Sequence, residues 1–262
     1  MRVTILGSGQ DGGIPQFGAV HPNDAEARSG TLLERTASSV LVEVRGVSIL
    51  LDIGPDARSQ WWRRVRAPDA IALTHAHIGH YVGLVNLGRE VMNASEVRCH
   101  MTRAMAAFLE RNQPWRQLIE LGNIEPETAN PYWGREYTLR LIDVPHRGEH
   151  SDTVAISIDG RVLYLPDIDD WEEWPLAESV IAGHELALLD ATFWSRGDLE
   201  RQGTVPHPPV VETMERFAHL DTEIVLTHLN HTNPLVDPTS DAAATVNGIG
   251  WRVAHDGLVL EL

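Results

Sequence analysis

Two pairs of apolar segments are separated only by tight turns, and this spacing restricts the fold more than any other feature of the sequence. Ser39–Val44 and Ser48–Asp52 are joined around Gly46, and an Asp-Gly turn joins Thr153–Ile158 to Val162–Leu165. Segments this close pair as antiparallel hairpins. Helical patterns separate other strands, which argues against a purely doubly wound sheet. We therefore predict an α/β (α+β) chain with two mixed sheets face to face and helices outside.

Most of the remaining chain alternates apolar runs with helical patterns. Runs rich in Val, Ile and Leu predict further strands at Arg2–Leu6, Ala70–Thr74, Val97–Met101, Tyr137–Val144, Leu186–Leu189, Glu223–Leu226, Trp251–His255 and Leu258–Leu262. Apolar spacings of three and four residues and a Pro-Asp start predict helices at Pro55–Val65, Tyr81–Met92, Arg103–Arg111, Pro209–His219 and, less regularly, Asp170–Ala182. Because no repeat or linker interrupts the pattern, we predict one domain over residues 1–262, with Gly9–Arg35 as a long loop.

Charge and composition narrow the range of partners. The 37 acidic residues outnumber the 21 basic ones, so the formal net charge is −16. This charge repels phosphate backbones and anionic lipid surfaces, so we predict neither nucleic acid nor membrane as a partner. Cys99 is the single cysteine, and no signal-peptide pattern or long apolar run occurs. We expect a cytoplasmic protein with a small-molecule substrate, and we leave homodimer formation open.

Three histidines follow a predicted strand in the run His75-Ala76-His77-Ile78-Gly79-His80. A neutral imidazole is a good ligand for zinc, iron or manganese. Two histidines one residue apart can converge on one ion where the backbone leaves strand geometry, and a third at a helix start can face a second ion. Because the run lies between a strand and a helix, we interpret it as a metal site and not as a solvated loop.

At this point the sequence resembles the metallo-β-lactamase superfamily, whose motif is H-x-H-x-D-H, followed later by a His, an Asp and a His at strand ends. Three later residues match in order: His146 in DVPHRGEHSDT, Asp167 in LYLPDIDDW and His228 in VLTHLNHTNP. The resemblance implies the αββα sandwich of that family. It also implies that Asp167 and His228 act in catalysis as well as in metal binding.

The usual ligand pattern of that family can be carried over residue by residue. The resemblance implies a first ion held by His75, His77 and His146, a second ion that uses His80 and His228, and Asp167 between them. Gly79 replaces the family's aspartate and offers no ligand. The sequence therefore predicts one or two divalent ions, zinc first, with iron and manganese as alternatives. Additional candidate ligands are His150, His207 and His231, and His150 also competes with His146.

A narrower resemblance joins GSGQDGGIPQ, PHRGEHSDT, LYLPDIDDW and THLNHTNPL to the pyrroloquinoline quinone biosynthesis protein B family. Asp190 could accept a hydrogen bond from a metal-bound histidine. Substrate contacts are assigned to three residues after the last motif histidine, namely Asn230, Thr232 and Asn233.

Three functions follow as hypotheses. The first is a metallo-hydrolase in which a metal-bound hydroxide attacks an ester, amide or phosphodiester. The second, implied by the narrower resemblance, is an iron-dependent oxidase or hydroxylase in the biosynthesis of a cofactor or peptide-derived metabolite. The third is a non-catalytic metal-binding or sensor protein, and the missing aspartate at Gly79 is its main support.

Overall fold

The structure is a computed structural model that describes residues 1–62, 64–198 and 206–262, and fourteen strands in these ranges form two sheets of seven. The strands are β1 Arg2–Gly7, β2 Ser39–Val44, β3 Val47–Leu51, β4 Ala70–Ala72, β5 Val97–His100, β6 Ile124–Glu127, β7 Tyr132–Trp133, β8 Thr138–Asp143, β9 Val154–Ile158, β10 Val162–Leu165, β11 Leu186–Asp190, β12 Glu223–Thr227, β13 Arg252–Val253 and β14 Val259–Glu261.

Both sheets are mixed. The N-terminal sheet has the order β14-β1-β2-β3-β4-β5-β6, and the C-terminal sheet has the order β13-β12-β11-β10-β9-β8-β7. The two predicted hairpins, β2 with β3 and β9 with β10, are antiparallel. In contrast, β3 to β6 run parallel to one another, as do β10 to β13.

The central strands are buried on both faces, and their side chains alternate between two cores. In β10, Val162 and Tyr164 lie in the core between the sheets, whereas Leu163 and Leu165 point to a second core on the outer face. Such strands are near-continuously apolar because neither face meets water. A third core, which contains Leu50, covers the outer face of the N-terminal sheet.

Helices cover the outer faces of the sheets. They are Pro22–Ser29, Ala57–Trp61, Ile78–Tyr81, Arg103–Arg111, Trp115–Glu120, Ala177–Ala182, Val210–Phe217 and Asp241–Gly248, with 3-10 helices at Val82–Leu87 and Pro234–Val236. The layers are therefore helix, sheet, sheet and helix, which confirms the predicted fold class. In the part of the chain that the structure describes, no helix has the length and apolar character needed to cross a membrane.

The predicted helix over Tyr81–Met92 is wrong. The chain instead forms a short helix and then a 3-10 helix that ends at Leu87. The N–H of Gly83 donates to the carbonyl of Ile53 (2.9 Å) instead of continuing a helical ladder. A Cβ on Gly83 would lie 2.2 Å from the carbonyl oxygen of Gly54, so the two segments touch through their backbones.

Other element predictions differ in extent. Among the described residues of Pro55–Val65, which exclude residue 63, the helix covers only Ala57–Trp61, and Asp170–Ala182 is helical only over Ala177–Ala182. In the latter, Trp171 and Trp174 pack into the outer core before the helix begins. The predicted loop Gly9–Arg35 contains a helix, and the pattern did not predict β6, β7 or the helices Trp115–Glu120 and Asp241–Gly248.

Candidate metal centre

The first two motif histidines lie on a short loop after β4 that both sheets hold in place. The N–H of Thr74 donates to the carboxylate of Asp52, directly after β3 (2.8 Å), and the N–H of Val154 in β9 donates to the carbonyl of Thr74 (3.1 Å). His75 and His77 follow this anchor. Because the backbone is fixed from two sides, the rings are positioned by the fold and not by a mobile loop.

Three imidazoles converge as the first group of candidate ligands. His75 Nε2 lies 2.9 Å from His77 Nδ1, and His146 Nε2 lies 3.3 Å from the same His77 atom. The three nitrogens lie within 4.8 Å of one another. His146 follows β8 and faces the loop from the C-terminal sheet. His146, which the sequence predicts as the third ligand of this group, therefore lies with its Nε2 beside the nitrogens of His75 and His77.

Asp167 lies at the middle of the cluster, two residues after β10. Its Oδ2 is 3.1 Å from His80 Nε2 and 3.4 Å from His228 Nε2, and its Oδ1 is 3.7 Å from His146 Nε2. One carboxylate therefore faces the first group and also a second group, which consists of His80 and His228. This position suits a carboxylate that bridges two cations.

The other ring nitrogen of each histidine in the second group has a buried partner. His80 Nδ1 lies 2.7 Å from Asp52 Oδ2, and His228 Nδ1 lies 2.9 Å from Thr192 Oγ1. A partner on one nitrogen sets the tautomer and the ring orientation, which leaves the other nitrogen available to a cation. In both residues the available nitrogen is Nε2, and it faces Asp167.

A further histidine, His207, reaches the same cluster. Its Nδ1 lies 2.6 Å from Oδ2 of Asp190, the last residue of β11, and its Nε2 is 4.0 Å from Asp167 Oδ1. The sequence suggested His207 as an additional ligand and Asp190 as the hydrogen-bond acceptor of a site histidine. The structure brings these two predicted residues together at the cluster.

Several buried polar atoms of the cluster are left without a hydrogen bond among the described residues. They are His80 Nε2, His207 Nε2, His228 Nε2, Asp11 Oδ1 and Asp167 Oδ2. A buried polar atom without a partner costs about 1–3 kcal/mol, so a convergent set of them indicates a binding site for a cation. Imidazole nitrogens and carboxylates suit zinc, iron or manganese. The residues present therefore fit a divalent metal ion.

Burial and mutual charge separate the protonation states of these groups. Burial, and then the nearby His80, lower the pKa of His75 well below its usual range, so this ring is neutral. Burial alone would raise the pKa of Asp167, but His228 and His80 outweigh it and hold that pKa well below its usual range. Burial also lowers the pKa of His146 to about 4. His75 and His146 are therefore neutral rings beside a charged carboxylate, as metal ligands must be. His80 differs, because burial alone would lower its pKa, but the charges of Asp167 and Asp52 outweigh burial and raise that pKa well above its usual range, so a cation bound there would displace its proton.

An open cleft of about 410 Å³ leads from the cluster to the surface, and its volume suits a small molecule. Its lining is mixed in charge and polarity. The residues that contribute are Gln10, Asp11, Ala76, His77, Ile78, Tyr81, Arg147, Glu149 and His150.

Three predicted site residues do not join the cluster. His150 is exposed and its ring stacks on Phe108 at 5.5 Å. His231 Nδ1 bonds instead with Asp24 Oδ2 at 2.7 Å. Asn233 is fully buried, and among the described residues its side chain bonds with backbone groups, including the carbonyl of Ala191 at 2.8 Å, so it lies away from the cleft lining.

The other two predicted substrate residues hold the turn after β12. Asn230 Oδ1 accepts from the N–H and the hydroxyl of Thr232 (3.0 and 2.8 Å). The Asn230 amide also donates to Gln10 Oε1 (2.6 Å), and Gln10 lines the cleft. These contacts place Asn230 behind the cleft lining, where it supports the loop that carries Gln10.

The sequence interpretation missed Asp11 and the supporting roles of Asp52 and Thr192. Asp11 Oδ1 is 3.4 Å from His80 Nε2 and 4.0 Å from His228 Nε2. Asp11 belongs to the glycine-rich segment GSGQDGG near the start of the chain. This segment overlaps the start of the predicted loop Gly9–Arg35, and the signal within it is a single carboxylate among small residues.

Comparison with known proteins places this fold and site in a family. A model of the beta-lactamase superfamily domain matches residues 48–254. Because this match covers most of the chain, the protein belongs to the beta-lactamase superfamily. The predicted resemblance to the superfamily is thereby confirmed.

More specific likenesses extend over the whole chain. It is 27% identical to coenzyme PQQ synthesis protein B of Xanthomonas campestris pv. campestris and 29% identical to the protein of the same name from Methylobacterium nodulans, with full coverage of both chains in each case. Zn²⁺-bound PqqB from Methylobacterium extorquens has a TM-score of 0.85 and 25% identity, again with full coverage. These likenesses confirm the predicted relationship to that protein family.

Proposed function

We propose that this chain is a metal-dependent hydrolase that cleaves an ester, amide or phosphodiester bond of a small molecule. One observation carries the proposal: His75, His77, His80, His146 and His228 all direct a nitrogen toward one region around Asp167. A site of this kind suits hydrolysis because it can hold a cation and a water beside a buried carboxylate. Zinc is the proposed ion, in keeping with the Zn²⁺-bound relative.

The chain's own residues would divide the work around a cation held by His75, His77, His146 and Asp167. A divalent ion held by these residues would polarise the substrate oxygen and would lower the pKa of a bound water toward ~7. Asp167 accepts a hydrogen bond from the attacking water and orients it. His228 keeps its Nε2 on the opposite side of Asp167, 3.4 Å away, with Thr192 fixing the ring.

His207 is placed to transfer a proton. Asp190 holds its Nδ1 at 2.6 Å, so Nε2 is the nitrogen directed at the cluster. We assign His207 the role of proton donor to the leaving group through Nε2. A histidine in this position commonly contributes a factor of about 10²–10⁴ to the rate.

The cleft favours a small substrate with an acidic group. Arg147 lies at its wall beside Glu149, and Ile78 and Tyr81 supply apolar surface. An acidic group of the substrate can pair with the Arg147 guanidinium, while its apolar part contacts Ile78. The net charge of −16 opposes a polynucleotide as substrate.

A second candidate function follows from the full-length likeness to coenzyme PQQ synthesis proteins. On this alternative the ion is iron, and the reaction oxidises a precursor of a cofactor. Three histidines and a carboxylate can hold either zinc or iron, so the ligand set does not separate the two functions. The identity of the bound metal and the consumption of oxygen separate them.

The test starts with metal content, measured by mass spectrometry on protein purified without a nickel tag. Zinc-loaded and iron-loaded protein are then assayed against a panel of carboxylate esters, amides and phosphodiesters, with oxygen uptake recorded in parallel. His75→Ala removes a candidate ligand, and His219→Ala is its control because His219 is exposed and pairs with Glu178.

The results distinguish the candidates. Hydrolysis by the zinc form that falls at least ~100-fold in His75→Ala but not in His219→Ala supports the hydrolase, since even the outer partners of a metal ligand contribute about 10–100-fold. Oxygen uptake that requires iron, without hydrolysis, supports the second function. Metal binding with neither activity leaves the sensor hypothesis, and no metal binding contradicts all three.

A further inference from the structure

The carboxylate of Asp11 occupies the space beside Gly79 in which the side chain of the family's motif aspartate would begin. An ideal Cβ on Gly79 would lie 1.9 Å from Asp11 Oδ1, 2.7 Å from its Cγ and 2.9 Å from its Cα. Real Cβ atoms essentially never approach another atom within 3.0 Å. Position 79 therefore cannot carry a side chain while Asp11 stays where it is.

The same carboxylate faces the second group of histidines. Asp11 Oδ1 lies 3.4 Å from His80 Nε2 and 4.0 Å from His228 Nε2. All three atoms are buried, and none of them makes a hydrogen bond among the described residues. These three atoms lie within 4.8 Å of one another, which is close enough for one cation to bind all three.

The backbone that carries Asp11 is anchored near the second group. Gly9 forms bridges with Ala37 and with Leu229, the residue after His228. The N–H of Gln10 donates to the carbonyl of Leu229 (2.9 Å), and the N–H of Gly13 donates to the carbonyl of Gln10 (2.7 Å). Asp11 and His228 are thus tied together by the backbone, although 217 positions separate their numbers in the sequence.

We propose that Asp11 is the carboxylate ligand of a second divalent cation, in place of the motif aspartate that Gly79 lacks. The second position is then formed by Asp11, His80 and His228, with Asp167 shared between the two ions. The centre is binuclear despite the glycine. Gly79 and Asp11 are a compensating pair, because the absence of a side chain at 79 provides the room in which the Asp11 carboxylate lies.

The test is a metal titration that uses no substrate. Metal-free protein is titrated with Zn²⁺ against a chromophoric chelator, and the same samples are titrated with Co²⁺ while the visible absorption of the ion is followed. The inference shares the metal centre with the proposed hydrolase, but ion binding is measured without turnover. A protein that binds two ions and hydrolyses nothing contradicts the proposed function and leaves this inference intact.

Four variants give the expected pattern. Wild type binds two ions, whereas Asp11→Ala and Asp11→Asn bind the first ion unchanged and the second at least ~10-fold more weakly. Removing a hydrogen-bonding partner of a metal ligand already weakens metal binding by about 10–100-fold, and removing a ligand itself is expected to weaken it at least as much. The double variant Asp11→Gly/Gly79→Asp moves the carboxylate back to the motif position. Because a Cβ at position 79 still lies 2.9 Å from the Cα of residue 11, a small shift of that backbone accompanies the recovery of the second ion, which then binds more tightly than in Asp11→Ala. Asp24→Asn is the matched control and keeps both ions, because it removes an Asp–His contact of the same N-terminal segment away from the cluster.

A thermal measurement tests the compensating pair independently of metal. In metal-free protein, Gly79→Ala lowers Tm because its Cβ meets Asp11, and the decrease is smaller when Asp11→Gly is present. Equal decreases in both backgrounds contradict the pairing. A single ion in wild type, or two ions of unchanged affinity in a folded Asp11→Ala, overturns the proposal.

Discussion

The Asp52 carboxylate sets the orientation of His80, and replacing it tests whether buried supporting groups control the second ion position. Asp52 is fully buried. Its Oδ1 accepts from the N–H of Thr74 (2.8 Å), and its Oδ2 accepts from the Thr74 hydroxyl (2.8 Å) and from His80 Nδ1 (2.7 Å). The substitution Asp52→Asn keeps the volume and removes the charge.

The structure defines what the amide would do. The amide oxygen can still accept the hydrogen bond from the Thr74 N–H, but the NH₂ group then faces His80 Nδ1. Two donors cannot bond, so the proton of His80 moves from Nδ1 to Nε2. A protonated Nε2 cannot bind a cation, and the affinity of the second ion falls by about 10–100-fold, which corresponds to about 1.4–2.8 kcal/mol.

The assay is the competition titration with Zn²⁺ on metal-free protein, together with the denaturant midpoint of the same sample. Asp69→Asn is the matched control. Asp69 Oδ2 also accepts a backbone N–H and a hydroxyl, both from Ser48 (2.8 and 2.7 Å), but it lies away from the cluster. We expect that control to keep the affinity of both ions.

The reasoning would be refuted by an Asp52→Asn protein that is less stable but binds the second ion as tightly as wild type. In that case Asp52 would only support the fold. His75 does not contact Asp52 itself, but the Thr74 hydroxyl that donates to Asp52 Oδ2 also lies 2.9 Å from His75 Nδ1. We therefore expect the first ion to weaken less than the second, and a larger loss at the first position would also refute the reasoning.

Three further predictions concern the proton donor, the pH dependence and the core. His207→Gln is expected to lower kcat by about 10²–10⁴ with little change in KM or zinc content, and a loss of zinc instead would make His207 a ligand. Burial, and then the charge of Arg98, lower the pKa of His100 to about 4. Since the unfolded value is about 6.5, the unfolded chain binds the proton first, and stability is lost as pH falls from about 6.5 towards 4, by up to about 3 kcal/mol. Denaturation of metal-free His100→Gln at a series of pH values should show a smaller loss, and an unchanged pH profile would contradict this assignment. Leu188→Ala in the core between the sheets should lower the free energy of unfolding by about 2–5 kcal/mol, against about 0.5 or less for the 62% exposed Leu176→Ala.

The features that the sequence predicted well are those with a local signal. The strands around the site are buried on both faces, so β10 and β11 appear as short, almost wholly apolar runs. Asp167 and His228 follow such runs closely. Because parallel strands end at the same edge of a sheet, residues that follow them are brought together by the fold. The motif histidines therefore indicated the position of the site without any knowledge of distances.

The features that the sequence did not predict depend on contacts between distant segments. The 3-10 helix Val82–Leu87 exists because Gly83 touches the turn after β3, and no periodicity reports such a contact. Asp11 is a similar case, since its role depends on the bridge between Gly9 and Leu229. In contrast, the helix Pro22–Ser29 had a local signal that the loop interpretation overlooked, with proline as its first residue and Gly30 in the left-handed conformation at its end.

Two residues that position the cluster adopt a backbone conformation that a sequence pattern does not show. Asp52 has φ 56° and His228 has φ 62°, so both are in the left-handed region that most side chains avoid. Each directly follows a strand, and there the turned backbone sends its side chain into the cluster instead of along the sheet. Left-handed residues other than glycine cost about 1–2 kcal/mol, and they persist where the surrounding structure fixes them. Asp52 orients the ring of His80 through a hydrogen bond, and the ring of His228 itself faces Asp167. At both strand ends, the residue in the unfavourable conformation therefore directs a histidine toward the proposed second ion.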